Sequence, residues 1–108
     1  MLYLVEAMGG PGFSSDEEAR EVLQGVVLPT FSELERLQKA RKILAGGLLV
    51  GDRAFVMIVN ARSNEELDAM LRALPMWGTM DLQVTPLQTF RGRASTERDA
   101  LRKMRKAK

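Results

Sequence analysis

Two carboxylates stand in otherwise apolar, strand-like stretches: Glu6 within Leu2-Tyr3-Leu4-Val5-Glu6-Ala7-Met8, and Asp81 within Met80-Asp81-Leu82-Gln83-Val84. Two acids brought together in a partly dry site push one pKa upward, so that one group accepts a proton while the other donates. Such a pair can shift a proton on a carbon acid. The rest of the chain narrows the chemistry. It holds neither Cys nor His, which removes thiolate and imidazole nucleophiles and bases, His-ligated haem and ordinary zinc sites. Proton transfer is left to Asp, Glu, Lys, Tyr or water. No Asp/Glu cluster has the loop spacing of a hard-cation site, so no metal is expected.

Around the carboxylates, Tyr3, Arg53, Trp77, Met80 and Gln83 are the candidate substrate-binding residues. Each also has a structural explanation. Glu6 is equally a rim charge or a partner for Arg53, and Asp81 a hydrogen-bond acceptor for backbone near Trp77. Trp77, the one Trp, suits core or interface packing as well as ligand stacking. Tyr3 suits a half-buried strand position better than an acid, and the seven Met residues suit an adaptable core as well as a pocket. Gly9-Gly10-Pro11-Gly12 lacks the Lys-Ser/Thr of a P-loop and the spacing of a dinucleotide fingerprint, so it is read as a turn.

The elements that must position these residues are legible in order. Leu2 to Met8 is a strand, closed by the glycine turn. Ser15 and Glu18 form a capping box, with acids in the first turn. The apolar stripe Ala19, Val22, Leu23, Val26 and Val27 then meets Pro29 and resumes at Phe31, Leu34 and Leu37. One helix over residues 16–41 would be about 39 Å long, against about 23 Å for a seven-residue strand. A kink or break near Pro29 is therefore expected, with a second segment over residues 32–41. A second strand covers residues 42–50, with a bulge or close backbone approach at Gly46-Gly47. Gly51-Asp52 marks a tight hairpin, and residues 53–61 form the third strand. Ser63 and Glu66 cap a helix that buries Leu67, Met70, Leu71 and Leu74 and stops at Pro75. The fourth strand covers residues 80–86 and can continue to Phe90.

Strand, helix, strand, strand, helix, strand is the ferredoxin-like split βαβ order: an α+β domain over residues 1–91, with an antiparallel sheet and both helices on one face. In that topology the first and fourth strands are neighbours. Met80, Leu82 and Val84 would face the helices, and Asp81, Gln83 and Thr85 the other side. The helix-free face should be polar if wet, yet Phe55 to Val59 is apolar at every position. A second copy related by a two-fold axis would cover it, which makes a homodimer or larger homo-oligomer the expected state; cover by the chain's own tail or its Pro29 region is the alternative.

Of 108 residues, 45% are hydrophobic and 28% charged, an ordinary globular balance. No apolar run approaches a bilayer span, and the first residues lack the basic stretch of a signal peptide; cytoplasm is the expected location. Residues 91–108 hold eight Lys/Arg against two Asp/Glu, a net +6, whereas residues 1–90 hold eight against twelve, a net −4. Residues 92–108 read as a separate basic tail, with Ser95 or Thr96 capping a short helix. With no aromatic residue after Phe90 for base stacking and a narrow apolar face, the tail is not read as a nucleic-acid or membrane element. A solvated helix, or docking on the acidic body of a neighbouring subunit, fits it better.

The stretch Ser63 to Val84, with its turn Leu74-Pro75-Met76-Trp77 and strand Met80-Asp81-Leu82-Gln83-Val84, resembles the muconolactone isomerase family, as does the opening Met1-Leu2-Tyr3-Leu4-Val5. The resemblance implies a dimeric α+β barrel. It also implies isomerisation of a lactone from aromatic catabolism by moving a ring proton, without metal or organic cofactor. The hairpin region Leu44-Ala45-Gly46-Gly47-Leu48-Leu49-Val50-Gly51-Asp52 looks more like the YciI-like proteins of the same barrel fold, whose His-Asp pair has no counterpart in a chain without His. The function expected is cofactor-independent proton transfer on a lactone, a related oxygenated ring or an oxo acid bound as a small-molecule ligand. The alternative is a non-catalytic ligand-binding or assembly barrel.

Overall fold

A computed structural model describes residues 1–107. Strand β1 (Leu2–Met8) is followed by α1 (Asp16–Val22), a π-helical turn (Leu23–Val27) and α2 (Leu28–Lys39). Strands β2 (Ile43–Leu48) and β3 (Phe55–Asn60), helix α3 (Asn64–Arg72), strand β4 (Asp81–Leu87) and helix α4 (Phe90–Lys106) complete the chain. The strands form one antiparallel sheet in the order β2-β3-β1-β4. This is the α+β split βαβ topology expected from the order of elements.

Alternation along β1 sets the two faces of the sheet. Tyr3, Val5 and Ala7 are buried, while Leu2, Leu4 and Glu6 are half-buried. In β3, Phe55, Met57 and Val59 are buried and Val56 and Ile58 half-buried. The buried set packs with Leu37 of α2, Leu67 and Leu71 of α3, and Leu74, Met76 and Met80 from the α3–β4 turn. Burial of that apolar area is the main stabilising term. One polar side chain joins the core: Thr30, fully buried, whose Oγ1 accepts a 3.2 Å bond from the Met76 backbone N–H.

The expected break into two helices does not occur: helical backbone continues from Asp16 to Lys39. The chain does not kink at Pro29; it widens into a π turn containing Gly25, and Pro29 falls in the first turn of α2. The wider π turn just before it accommodates a residue without an N–H, and α2 starts four residues earlier than expected. Ser15 caps α1 as expected by accepting from the Glu18 N–H, whereas the Glu18 carboxylate reaches back to Ser14, one residue beyond the capping-box position. Ser63 caps α3 in the same way, accepting from Glu66 N–H.

The register shift in β2 falls between Ile43 and Ala45, ahead of the two glycines. Gly46 serves close approach: a Cβ there would lie 2.6 Å from the Val56 carbonyl oxygen. The β2–β3 connection is wider than a two-residue hairpin, with Leu49 N–H bonded to the Ala54 carbonyl around a loop that has Gly51 at φ +79°.

The tail differs most. Its helix starts at Phe90, capped by Thr89, whose Oγ1 accepts from Gly92 N–H, and runs unbroken to Lys106. Gly92 and Arg93 therefore lie inside a helix. None of its residues is buried, and the molecule measures 72 Å along its longest axis against 26 and 21 Å across. Among the described residues no helix is long and apolar enough to cross a membrane.

Candidate functional site

The sheet register places the two carboxylates together. Glu6 of β1 is directly opposite Gln83 of β4, and Met8 is opposite Asp81. Side chains two apart on a strand share a face, so Glu6, Asp81 and Gln83 all project from the helix-free side. Glu6 and Asp81 are diagonal neighbours on adjacent strands, with Cα atoms about 7–8 Å apart in such pairs, within reach for long side chains. Around them on this face lie Leu2 and Leu4 of β1 and Val56 and Ile58 of β3. Asp81 begins β4 beside the glycine turn; its Oδ2 lies 3.9 Å from where a Cβ on Gly9 would stand.

Arg53 and Met80 belong to a different recess at the same end of the sheet. The Gly10 N–H donates to the Arg53 carbonyl at 2.9 Å, and a Cβ on Gly10 would lie 2.7 Å from that oxygen. A Cβ on Gly12 would lie 3.1 Å from Arg53 Nη1. The glycines of this turn thus make room for the arginine, whose guanidinium sits 5.9 Å over the Phe13 ring at cation–π distance. The Glu6–Arg53 ion pair considered from sequence does not form: the arginine stacks on Phe13, and Glu6 faces the other side of the sheet. Beside Arg53 a cavity of about 150 Å³ is lined by Leu23, Val27, Phe31, Met76 and Met80.

Two residues stand away from the carboxylates. Tyr3 is buried on the helix-covered face, and its hydroxyl donates to Asn64 Oδ1; strand alternation separates it from Glu6, three residues on. Trp77 lies on the turn after α3, 40% exposed, with the Arg72 guanidinium 4.6 Å over its ring. The structure therefore brings Glu6, Asp81 and Gln83 onto one face and Arg53 and Met80 into one recess. Tyr3 and Trp77 are placed elsewhere.

Sequence reasoning passed over Phe13 and Thr30, and read Phe31 only as part of the apolar stripe. Phe13 follows the glycine turn directly, which is a usable signal for its place beside Arg53. Thr30 gave none, because the backbone N–H it serves, that of Met76, is distant in the chain. Among the described residues no group of three or more His, Cys, Asp or Glu is arranged to hold a metal ion.

A four-stranded antiparallel sheet in the order β2-β3-β1-β4, with helices on one side and a carboxylate-bearing apolar face on the other, defines the class as a ferredoxin-like α+β protein. Within that class, the muconolactone delta-isomerase family matches residues 1–92, and the chain belongs to that family. Among solved structures it is similar to a muconolactone isomerase, with 22% identity and a TM-score of 0.67 over 82% of this chain and 90% of the other. It is also similar to the 5-chloro-2-hydroxyhydroquinone dehydrochlorinase TftG of Burkholderia phenoliruptrix AC1100, solved in complex with 2,5-dihydroxybenzoquinone. That likeness has 20% identity and a TM-score of 0.60 over 85% of this chain and 98% of the other. At such identities the structural likeness shows the fold. A search of curated proteins finds no match.

Proposed function

We propose that the protein is a cofactor-independent, isomerase-like enzyme of small-molecule catabolism that moves a proton on a lactone or a related oxygenated ring. The observation that carries this reading is the placement of Glu6 and Asp81 as diagonal neighbours on one apolar sheet face, bracketing Gln83. One carboxylate removes a proton from the carbon beside the ring carbonyl, and the electron pair passes to the carbonyl oxygen as an enolate. The proton so taken is then delivered from the carboxyl pair to a different carbon of the conjugated system. The double bond moves and no atom is lost. Gln83 supplies an amide N–H for the developing negative oxygen. A second copy, packed sheet to sheet by a two-fold axis, would exclude water from Leu2, Leu4, Val56 and Ile58 and dry the carboxylates.

Family membership and the activities for which the structural neighbours are named support the substrate class. The test is turnover of muconolactone, and separately of a chlorinated hydroxyhydroquinone, by Glu6→Gln, Asp81→Asn and the double variant, with far-UV circular dichroism reporting the fold. Loss of a general acid or base lowers the rate about 10²–10⁴-fold; a folded double variant with native turnover overturns the assignment.

One observation favours the non-catalytic alternative. The cavity beside Arg53 is walled mainly by apolar side chains, with Asp52 and Arg53 as its charged lining residues, which suits holding a ligand better than changing it. Saturable binding of either compound without turnover by the native chain would establish that alternative.

A further inference from the structure

Helix α4 is 17 residues long and buries none of them. A lone helix of this length is marginal in water, because helices in proteins owe most of their stability to packing an apolar face. It has such a face: Phe90, Ala94, Leu101 and Met104 recur at steps of four, seven and three residues, and Phe90 is 97% and Met104 65% exposed. Beside that stripe, Arg91, Arg98, Arg102 and Arg105 recur at steps of seven, four and three. Arg102 pairs with Asp99 inside the helix, and Arg93 with Glu97. Arg91, Arg98 and Arg105 have no ion-pair partner among the described residues. The match to the family ends at residue 92, so nearly all of α4 lies beyond it.

The complement is present on the body. Helix α1 also buries no residue and exposes Asp16, Glu17 and Glu21, while Glu18 is engaged by Ser14. Immediately after these acids the same surface exposes Leu23 and Leu28, the latter by 56%. Acids followed by apolar residues along α1 and the start of α2 mirror, in reverse, the order along α4, which is apolar at Phe90 and basic toward its end. Two α4 helices side by side would repel, each carrying seven Lys/Arg and two Asp/Glu between Phe90 and Lys106. Nucleic acid would satisfy the arginines and leave the apolar stripe wet.

We infer that α4 is an assembly arm that docks, antiparallel, on the α1 surface of a second copy of this chain. Arg98, Arg102 and Arg105 meet Glu17 and Glu21, and Phe90 meets Leu23 and Leu28. At about 26 Å the arm is long enough to cover α1 and the π turn, about 18 Å together. This contact uses the helix side of the partner and is separate from the sheet face proposed to hold the carboxylates.

Two full-length variants test it: an arm variant carrying Arg98→Glu, Arg102→Glu and Arg105→Glu, and an α1 variant carrying Glu17→Lys and Glu21→Lys. Circular dichroism confirms folding, and sedimentation velocity reads the mass. Each variant alone faces like charge with like and should sediment at a mass lower by roughly twofold or more. An equimolar mixture restores opposite charges at every contact and should recover the native mass. The native assembly should also loosen between about 0.1 and 1 M salt, as the screening length falls from about 10 to 3 Å. Native mass for each variant alone overturns the inference, as does a mixture that stays small. So does retention of a polynucleotide by the native chain but not by the arm variant, with no change in mass.

Discussion

Thr30 shows what one fully buried hydroxyl does in a largely apolar core. It sits near the start of α2 and accepts from the Met76 N–H in the α3–β4 turn, tying α2 to that turn within the helical layer. Thr30→Val keeps the shape and leaves that N–H buried without a partner, a loss of about 1–3 kcal/mol. Urea unfolding should show it, with Thr30→Ser close to native. Glu66 is the other residue whose partners matter. Its carboxylate accepts from Arg62 at 2.7 Å and from Lys42 at 3.1 Å, and these bonds, the Arg62 bond first, hold its pKa below the ordinary value of 4.5. A carboxyl with a depressed folded pKa adds stability that is fully present above its unfolded pKa and is lost as pH falls through the folded one. Stability of the native protein should therefore drop more steeply below about pH 4.5 than that of Glu66→Gln, as thermal melts across pH 3–6 would show.

At the scale of elements, the helical segment between β1 and β2 is the least regular part of the body. The π turn absorbs one extra residue and hands the chain to α2 with Pro29 in its first turn. Gly25 lies within it, exposed, with nothing within 4 Å of where a Cβ would stand. No positive φ requires glycine there. Gly25→Ala should stabilise the protein by about 0.5–1 kcal/mol in urea titration, because glycine in a helix costs that much relative to alanine. If Gly25→Ala destabilises instead, the π turn depends on the extra freedom of glycine.

The whole molecule poses the question of what covers the second face of the sheet. Leu2, Leu4, Val56 and Ile58 have helices only on their far side, and the chain's own α4 extends away along the 72 Å axis. Cover by the tail, one alternative considered from sequence, does not occur within the chain, since none of α4 is buried. Ile58→Lys should break a sheet-to-sheet contact and lower the assembly mass, leaving only association through α4, by placing a charge where the apolar face would close. Sedimentation equilibrium reads that outcome, and native association by the Ile58→Lys variant would rule out this face as the contact.

Much was determined by local chemistry alone. Strand alternation, serine caps and the prolines after and between helices are written within a few residues of where they act. The order of elements, the helix at residues 63–74 and the shared face of Glu6, Asp81 and Gln83 could therefore be read directly. The last of these needed only period-two alternation and the adjacency of β1 and β4 that the topology requires. Other features depended on long-range contact. Thr30 is buried because it serves the Met76 N–H, 46 residues further along the chain. Arg53 is seated by a glycine turn some forty residues earlier, and Tyr3 is claimed by Asn64 across the helix layer. Only tertiary structure could place these, because each is a choice among locally equivalent conformations made by a partner distant in the chain.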